Sequence, residues 1–399
     1  MRQIHATLIA GALAVLAGCG PGGGEERARE VLSDARRELA PDRRTVVFDV
    51  RPEVHGRFLT LYGEVHDAEL KERLLRFIRE TGEFEPVDSL NVLPDPALGT
   101  KTIGIVSLSV ANLRQKPSHP AEMATQALLG TPLRILKKDD GWLYVQTPDG
   151  YLSWTDDRIK EMTPEEYRAW VEQERVIVTT EFAFVHSAAS ASSVPVSDVV
   201  AGCILGLKGQ AGPYYEVRYP DGRTGFLEKK LAEPLARWMK RTKATPESVV
   251  ATAKRFMGIP YLWGGTSAKG MDCSGFTKTV YFLNGIQLPR DASQQVLVGE
   301  LVETDDLFST VRPGDLLFFG FRPNERRKER VTHVGISLGG ARFIHASGDV
   351  HVNSLNPADE DYSEYRHRMF LRVKRIIGAA EGNGLQPLSS MAYYRGDEH

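Results

Sequence analysis

The chain has 399 residues, enough for two or three domains at the usual size of roughly 150 residues each. Its 50 Lys and Arg nearly balance 52 Asp and Glu, for a net charge of -2, so there is no electrostatic case for nucleic acid as a partner. The 3 cysteines form neither a CxxC pair nor a Cys/His cluster, so we exclude a disulfide framework and expect no metal and no cofactor.

Residues 1–18 have the pattern of a secretory signal peptide, with an early cation followed by a short apolar run. The run ends in LAGC, which resembles a bacterial lipobox, and this resemblance implies cleavage before Cys19 and lipid attachment to its sulfur. The alternatives are an ordinary signal peptide or a coincidental cysteine. Residues 19–24 would be a flexible, lipid-anchored linker. We therefore expect an exported protein on the periplasmic or extracellular face of a membrane, which it contacts only through the anchor.

Residues 25–95 are predicted to form a small α+β domain. An amphipathic helix over residues 25–39 precedes two alternating stretches, a second amphipathic helix and a short strand. The ββαβ order after the first helix resembles BON-type envelope modules, although a plain spacer domain fits the pattern equally well.

Two segments further along the chain repeat. The sequence WLYVQTPDG at residues 142–150 aligns without gaps with YYEVRYPDG at residues 214–222. Each segment predicts a strand, a Pro-Asp-Gly turn and a second strand, the pattern of a small hairpin-rich barrel that is used twice. Both regions resemble bacterial SH3-type domains, a first barrel plus a helix at residues 101–174 and a second barrel at residues 175–236.

The stretch YLWGGTSAKGMDCSG at residues 261–275 places Cys273 at the predicted start of an amphipathic helix. The unpaired N–H groups at a helix start lower the pKa of a thiol, and the thiolate is the strong nucleophile. A buried, inert thiol is the alternative for any lone cysteine, and it is our interpretation of Cys203, which has apolar neighbours on both sides.

Two histidines that follow the cysteine lie in predicted strands joined by Leu338-Gly339-Gly340. If those three residues form the loop, His333 lies directly opposite His345 on one face of the hairpin. A two-residue Gly-Gly loop would place the two histidines on opposite faces. A paired-histidine site therefore requires the three-residue loop. A cysteine followed by a histidine base and an orienting group is the arrangement of papain-like hydrolases.

A co-linear set of motifs resembles the NlpC-type family of bacterial cell-wall cysteine peptidases: Tyr261-Leu-Trp-Gly-Gly265, Asp272-Cys273-Ser274-Gly275, Arg290-Asp291, Arg312-Pro313-Gly314-Asp315-Leu316, His333-Val-Gly-Ile336 and His345-Ala346. The resemblance implies a papain-like peptidase domain at residues 245–378. It further implies Cys273 as the nucleophile, His333 as general base and acid, and His345 as its orienting group. Tyr261 would lie near the oxyanion, with the backbone N–H of the cysteine as the second donor, and Ser274 would contact the substrate.

Family members with paired SH3-type domains resemble γ-D-glutamyl-L-diamino acid endopeptidases, which cut peptidoglycan stem peptides or muropeptides between D-Glu and the diamino acid. In those relatives the first barrel caps the cleft, where acidic and tyrosine side chains bind the free amine of an N-terminal L-Ala. Asp291 matches one acid directly. Glu122 and Tyr151 are candidates from the first barrel, with a surface charge and a barrel aromatic as the alternatives.

We therefore predict a multidomain protein with a small α+β N-terminal domain, two all-β SH3-like barrels and a C-terminal α+β papain-like domain. It would be a monomeric cysteine endopeptidase that forms a thioester acyl-enzyme on stem peptides or muropeptides. A non-catalytic wall-binding scaffold, and an amidase or acyltransferase on the same fold, remain alternatives. The polar, Gly-rich tail at residues 379–399 is predicted to be poorly ordered.

Overall fold

The computed structural model describes residues 23–395, which form two compact units divided between Leu93 and Pro94. The predicted signal peptide and the lipidation site at Cys19 lie outside the described residues. Among the residues described, no helix combines the length and the apolar character needed to cross a membrane.

The first unit contains α1 (Gly23–Leu39), β1 (Phe48–His55), β2 (Phe58–Val65), α2 (Ala68–Glu80) and β3 (Glu85–Val92). The central strand β2 pairs antiparallel with β1 and parallel with β3. Both helices contribute apolar side chains to one core with the sheet, which agrees with the predicted element order.

The end of the predicted linker is helical. The first helix begins at Gly23, so the last two residues of the segment predicted as flexible belong to α1. Acidic residues at positions 25 and 26 stabilise the positive end of the helix dipole, and a stripe of buried side chains holds α1 on the sheet. The prediction that residues 23 and 24 are flexible was therefore wrong.

The second unit begins with two seven-stranded sheets of the same topology. The first contains β4 (Ile103–Val106), β5 (Val110–Arg114), β6 (Met123–Leu128), β7 (Pro132–Asp139), β8 (Trp142–Gln146), β9 (Leu152–Thr155) and β10 (Ile159–Met162). The second contains β11 (Arg175–Val178), β12 (Phe182–His186), β13 (Pro195–Val200), β14 (Ile204–Ala211), β15 (Tyr214–Arg218), β16 (Thr224–Glu228) and β17 (Ala232–Pro234).

The strand order is β10-β4-β7-β8-β9-β5-β6 in the first sheet and β17-β11-β14-β15-β16-β12-β13 in the second, identical strand for strand. The two aligned segments form the equivalent hairpins β8–β9 and β15–β16, so the predicted repeat is confirmed. Each Pro-Asp-Gly turn ends in a glycine at positive φ, 83° at Gly150 and 91° at Gly222, a conformation that disfavours other residues. Helix α3 (Pro164–Glu172) separates the sheets, with Thr163 in a capping box.

The remainder of the second unit is α+β. Its helices are α4 (Leu235–Arg241), α5 (Pro246–Arg255), α6 (Cys273–Phe282), α7 (Ala292–Gln295), α8 (Glu364–Met369) and α9 (Ala392–Arg395). Its strands are β18 (Thr266–Ser267), β19 (Gly270–Met271), β20 (Ile286–Gln287), β21 (Glu300–Val302), β22 (Leu316–Phe321), β23 (Arg330–Gly339), β24 (Arg342–Ser347), β25 (Asp349–Ser354), β26 (Phe370–Arg375) and β27 (Gln386–Pro387). Six strands form an antiparallel sheet in the order β21-β26-β22-β23-β24-β25, and helices α5 and α6 share one core with it.

The segment from residue 380 to residue 395 is packed, contrary to the prediction of poor order. Strand β27 pairs with β20, and Leu388, Tyr393 and Tyr394 are buried. The Tyr393 hydroxyl donates to the Gly130 carbonyl and accepts a 3.2 Å hydrogen bond from the Trp170 indole. The packing of this aromatic pair was not predicted, because the tail is mostly polar. The pair belongs to an apolar cluster with residues of both seven-stranded sheets.

We expect Tyr393→Ala to destabilise the second unit by about 3–5 kcal/mol, because it removes a fully packed aromatic side chain. All 5 tryptophans follow Leu93, so urea unfolding monitored by tryptophan fluorescence reports on this unit. Tyr365→Ala is the matched control, since that side chain is 55% exposed. Equal unfolding midpoints for the two variants would show that the tail does not stabilise the fold.

Candidate active site

Asp272 fixes the start of the cysteine helix. Its side chain caps α6 by accepting a hydrogen bond from the Gly275 N–H at 2.7 Å, and its other oxygen accepts from the Gly264 N–H at 2.9 Å. The carboxylate therefore ties the helix to the loop that carries Tyr261. Cys273 is the first residue of the helix, and its side chain is 7% exposed.

Arg290 forms a buried ion pair with Asp272. Its guanidinium is 1% exposed and binds both oxygens of Asp272, at 3.1 and 2.6 Å. It also donates to the Ser274 hydroxyl at 3.0 Å and to the Thr125 hydroxyl of β6 at 2.9 Å. The Ser274 hydroxyl in turn donates to Asp272 at 3.2 Å, so it is occupied within the protein and its contact with substrate stays a prediction.

The histidine hairpin differs from the predicted register. Ser337 pairs with Phe343 and Gly339 with Arg342, so Leu338 is an extra, bulged residue and the loop has two residues rather than three. The register therefore does not place His333 directly opposite His345. A two-residue loop without a bulge would place the two histidines on opposite faces of the hairpin. The extra residue shifts the alternation of side chains along β23 by one position, so the two histidines lie on the same face. The requirement for a three-residue loop was wrong, because the prediction did not consider a bulge.

A chain of hydrogen bonds orients His333. The Asn353 amide N–H₂ donates to the Asp361 carbonyl at 3.3 Å, which turns its oxygen towards His345 Nε2, 3.0 Å away. His345 Nε2 is then the donor and its Nδ1 the acceptor, 2.7 Å from His333 Nε2. This tautomer leaves Nδ1 of His333 free of its proton and able to act as a base. Asn353 was not predicted, although it lies two residues beyond His351, the cross-strand partner of His345.

The sulfur of Cys273 lies against the strand that carries His333. It accepts hydrogen bonds from the backbone N–H groups of Val334 and Ser274. Tyr261 is bonded through its own N–H to the Gly348 carbonyl at 2.8 Å, in the turn between β24 and β25. Burial and the neighbouring cysteine and aspartate raise the pKa of Tyr261, so its hydroxyl stays protonated and can donate.

The cysteine and the histidines are uncharged at rest. Burial, followed by the negative charge of Asp272, raises the pKa of the Cys273 thiol to about 12. Burial, followed by the charge of Arg366, holds the pKa of His333 well below its usual value and lowers that of His345 to about 3. The helix-start N–H groups do act on the sulfur, but the predicted net lowering of the pKa of Cys273 was wrong because desolvation outweighs them.

The first seven-stranded sheet reaches this site at two points. The Tyr151 hydroxyl donates to Asp291 at 3.0 Å, and Asp291 directly follows Arg290 in the chain. The Trp263 indole, which is 61% exposed, donates to Glu122 at 2.6 Å. Both candidates from this sheet therefore contact segments that flank Cys273. No role was predicted for Trp263, although it lies within the motif at residues 261–275.

Strand β6 is fitted closely to the motif loop. The Gln126 carboxamide oxygen accepts from the Thr266 N–H at 3.0 Å and from the Ser267 hydroxyl at 3.1 Å. A Cβ on Gly264 would meet the Met123 carbonyl oxygen at 2.4 Å, and φ is 78° there, so both space and backbone conformation require glycine. Strand β6 is therefore joined to the motif loop by hydrogen bonds and by close backbone packing.

Two further observations bear on the chemistry. Within residues 23–395, no group of three or more His, Cys, Asp and Glu side chains could hold a metal ion. Cys203 is fully buried, as predicted, and burial raises the pKa of its thiol to about 12.

Comparison with known proteins adds to this geometry. Residues 258–372 match the NlpC/P60 family, and residues 113–157 match the bacterial dipeptidyl-peptidase Sh3 domain. The chain is 30% identical to dipeptidyl-peptidase 6 of Lysinibacillus sphaericus over 68% of its own length and 97% of that relative. It is 30% identical to a gamma-D-glutamyl-L-lysine dipeptidyl-peptidase of Bacillus subtilis, over 56% of this chain and 71% of that one.

A crystal structure of an NlpC/P60 family protein from Bacillus cereus has a similar fold. It superposes with a TM-score of 0.58 at 23% identity, over 69% of this chain and 99% of that chain. The superposed share of the chain is larger than the region matched to NlpC/P60.

We expect the alkylation rate of Cys273 by iodoacetamide to rise continuously between pH 7 and pH 10, because the pKa of its thiol is raised and only the thiolate reacts. Peptide mapping by mass spectrometry measures this residue alone. His333→Gln should leave the shape of the profile unchanged, since a neutral imidazole does not stabilise the thiolate. A rate that is already at a plateau below pH 7 would instead indicate a thiolate–imidazolium pair.

Proposed function

Because this chain belongs to the NlpC/P60 family of cysteine peptidases, we propose that it hydrolyses the γ-D-Glu to L-diamino acid bond of peptidoglycan stem peptides or muropeptides. The names of two relatives, dipeptidyl-peptidase 6 and gamma-D-glutamyl-L-lysine dipeptidyl-peptidase, favour release of an N-terminal dipeptide. The observation that carries the proposal is the hydrogen bond from Tyr151 to Asp291, because it joins the first sheet to the residue that follows Arg290, the partner of Asp272.

In the proposed mechanism, proton transfer accompanies nucleophilic attack. The neutral thiol of Cys273 gives its proton to Nδ1 of His333 as sulfur attacks the γ-carbonyl carbon, and His345 holds the imidazole through its other nitrogen. His333 then protonates the leaving amine, and a thioester remains on the cysteine. Water, deprotonated by His333, attacks the thioester and releases the free carboxylate of D-Glu and the thiol.

The oxyanion would be held by two donors. One is the Tyr261 hydroxyl, which its raised pKa keeps protonated. The other is the backbone N–H of Cys273, a first-turn amide for which the helix supplies no acceptor.

Selection of a free N-terminal amine would come from Asp291, Glu122 and Tyr151. A bound ammonium needs a paired anion, and an acylated alanine would offer these carboxylates a neutral amide instead of a cation. The hydroxyl of Tyr151 holds one oxygen of Asp291 in place, and the indole of Trp263 holds one oxygen of Glu122. These four side chains would form the pocket for L-Ala.

We also propose that the protein acts in the cell envelope. Members of the family act on cell walls, and the first 19 residues have the pattern of a lipoprotein signal. The mature protein would be lipid-anchored at Cys19. Labelling with a fatty acid, compared between the wild type and Cys19→Ala, reports on this step separately from activity.

We expect Cys273→Ala to lower the release of diamino acid from L-Ala-γ-D-Glu-diamino acid by roughly a thousandfold or more, because no other group in the proposed site can form the acyl-enzyme. Mass spectrometry identifies the products, and Cys203→Ala is the control with an unrelated buried thiol. Unchanged release from Cys273→Ala would refute the assignment of the nucleophile. A product cut at another bond, or transfer to an amine, would favour the amidase or acyltransferase alternatives.

We expect Asp291→Asn to reduce kcat/KM for the free-amine peptide by roughly 10- to 100-fold, the usual effect of losing a hydrogen bond to a charged group. Activity on the N-acetylated peptide should be low in the wild type and nearly unchanged in the variant. Glu303→Gln, an exposed carboxylate elsewhere in the domain, is the control. If both peptides lose activity equally in Asp291→Asn, this residue does not select the amine.

A further inference from the structure

Arg366, on the short helix α8, is a half-buried guanidinium without a carboxylate partner among residues 23–395. Its hydrogen bond goes to the Ser347 hydroxyl at 2.9 Å, and the guanidinium lies 5.9 Å from the centre of the Phe319 ring. Other shielded arginines of the same domain are paired: Arg290 binds Asp272 and Arg375 binds Asp315. Since a shielded cation normally has an anionic partner, an anion is missing at this position.

Arg366 belongs to the histidine side of the cleft. Ser347 ends β24, two residues after His345, and the Phe319 ring is 5.8 Å from the ring of His333. Burial lowers the pKa values of both histidines, and the charge of Arg366 lowers them further. Asp291, in contrast, lies at the start of α7 with Tyr151, beside the cysteine helix.

These positions match the two halves of the substrate, if the function proposed above holds. The amine of L-Ala would lie at Asp291, so the acyl half of the peptide occupies that side of the sulfur. The leaving diamino acid must lie towards His333, which protonates its nitrogen. The carbon attached to that nitrogen also carries the α-carboxyl group of the diamino acid.

We propose that Arg366 binds the free α-carboxylate of the leaving diamino acid, so that the enzyme prefers peptides that end at this residue. A guanidinium and a carboxylate form a charge-assisted, bidentate pair. A stem peptide that continues beyond the diamino acid has a neutral amide at the same place and leaves the cation unpaired. A carboxypeptidase reaction that removes the following residues must therefore supply the preferred substrate.

The test compares L-Ala-γ-D-Glu-L-Lys with its C-terminal carboxamide, using the full-length protein. The wild type should cleave the free acid with a kcat/KM at least about tenfold higher, the smaller effect expected for a hydrogen bond to a charged group. Arg366→Gln should lose this preference by slowing cleavage of the free acid alone, and Arg366→Lys should retain part of it. Arg368→Gln, an exposed arginine two residues along the same helix, should keep the full preference.

Each other outcome overturns the assignment. Equal cleavage of both peptides by the wild type, or an equal loss on both in Arg366→Gln, would contradict it while leaving the peptidase function intact. A third peptide with D-isoglutamine in place of D-Glu tests the other carboxylate of the substrate. If Arg366→Gln abolishes discrimination against that peptide instead, the cation binds the acyl half. Failure of the wild type to cleave any peptide at this bond would refute the proposed function itself, and the assignment with it.

Discussion

The buried ion pair between Asp272 and Arg290 is the interaction on which the rest of the site depends. One carboxylate caps the cysteine helix, holds the loop that carries Tyr261 and binds both arms of a guanidinium that is almost fully enclosed. Removing two charges from water is costly unless every lone pair and N–H group finds a partner. Here Thr125 of the first sheet accepts from the remaining guanidinium nitrogen, so this sheet takes part in building the catalytic centre.

The position of the Asp272 carboxylate also affects the ionisation of Cys273. The carboxylate that positions the helix also places a negative charge beside the sulfur, and together with burial it opposes ionisation of Cys273. Burial and the charge of Arg366 hold His333 neutral, and the hydrogen bonds through Asn353 and His345 leave its Nδ1 without a proton. In the mechanism that we propose, this buried, uncharged pair would undergo charge separation only as the substrate reacts, and Tyr261 and the helix-start amide would stabilise the charge that forms.

Local sequence patterns predict the parts of this site that lie on regular elements. Helical periodicity after Cys273 and strand alternation around His333 and His345 are local, and both elements were found as expected. The hairpin register was not predictable, because the bulge at Leu338 depends on how β23 fits its other neighbours. The pKa of the thiol and the role proposed for Arg366 depend on burial and on contacts between distant segments, which no local pattern encodes.

The charges on the two sides of the cysteine are the basis of the selectivity that we propose. The carboxylates of Asp291 and Glu122 lie where the first sheet contacts the segments before and after the cysteine helix. The cation of Arg366, which has no carboxylate partner in the described part of the chain, lies on the histidine side. In the function that we propose, a short peptide with a free amine at one end and a free carboxylate at the other would be complementary to both sets of charges. Lengthening the peptide at either end would replace a charge by a neutral amide and remove one charge-assisted contact. Selectivity for both ends would then follow from opposite charges on the two sides of the sulfur.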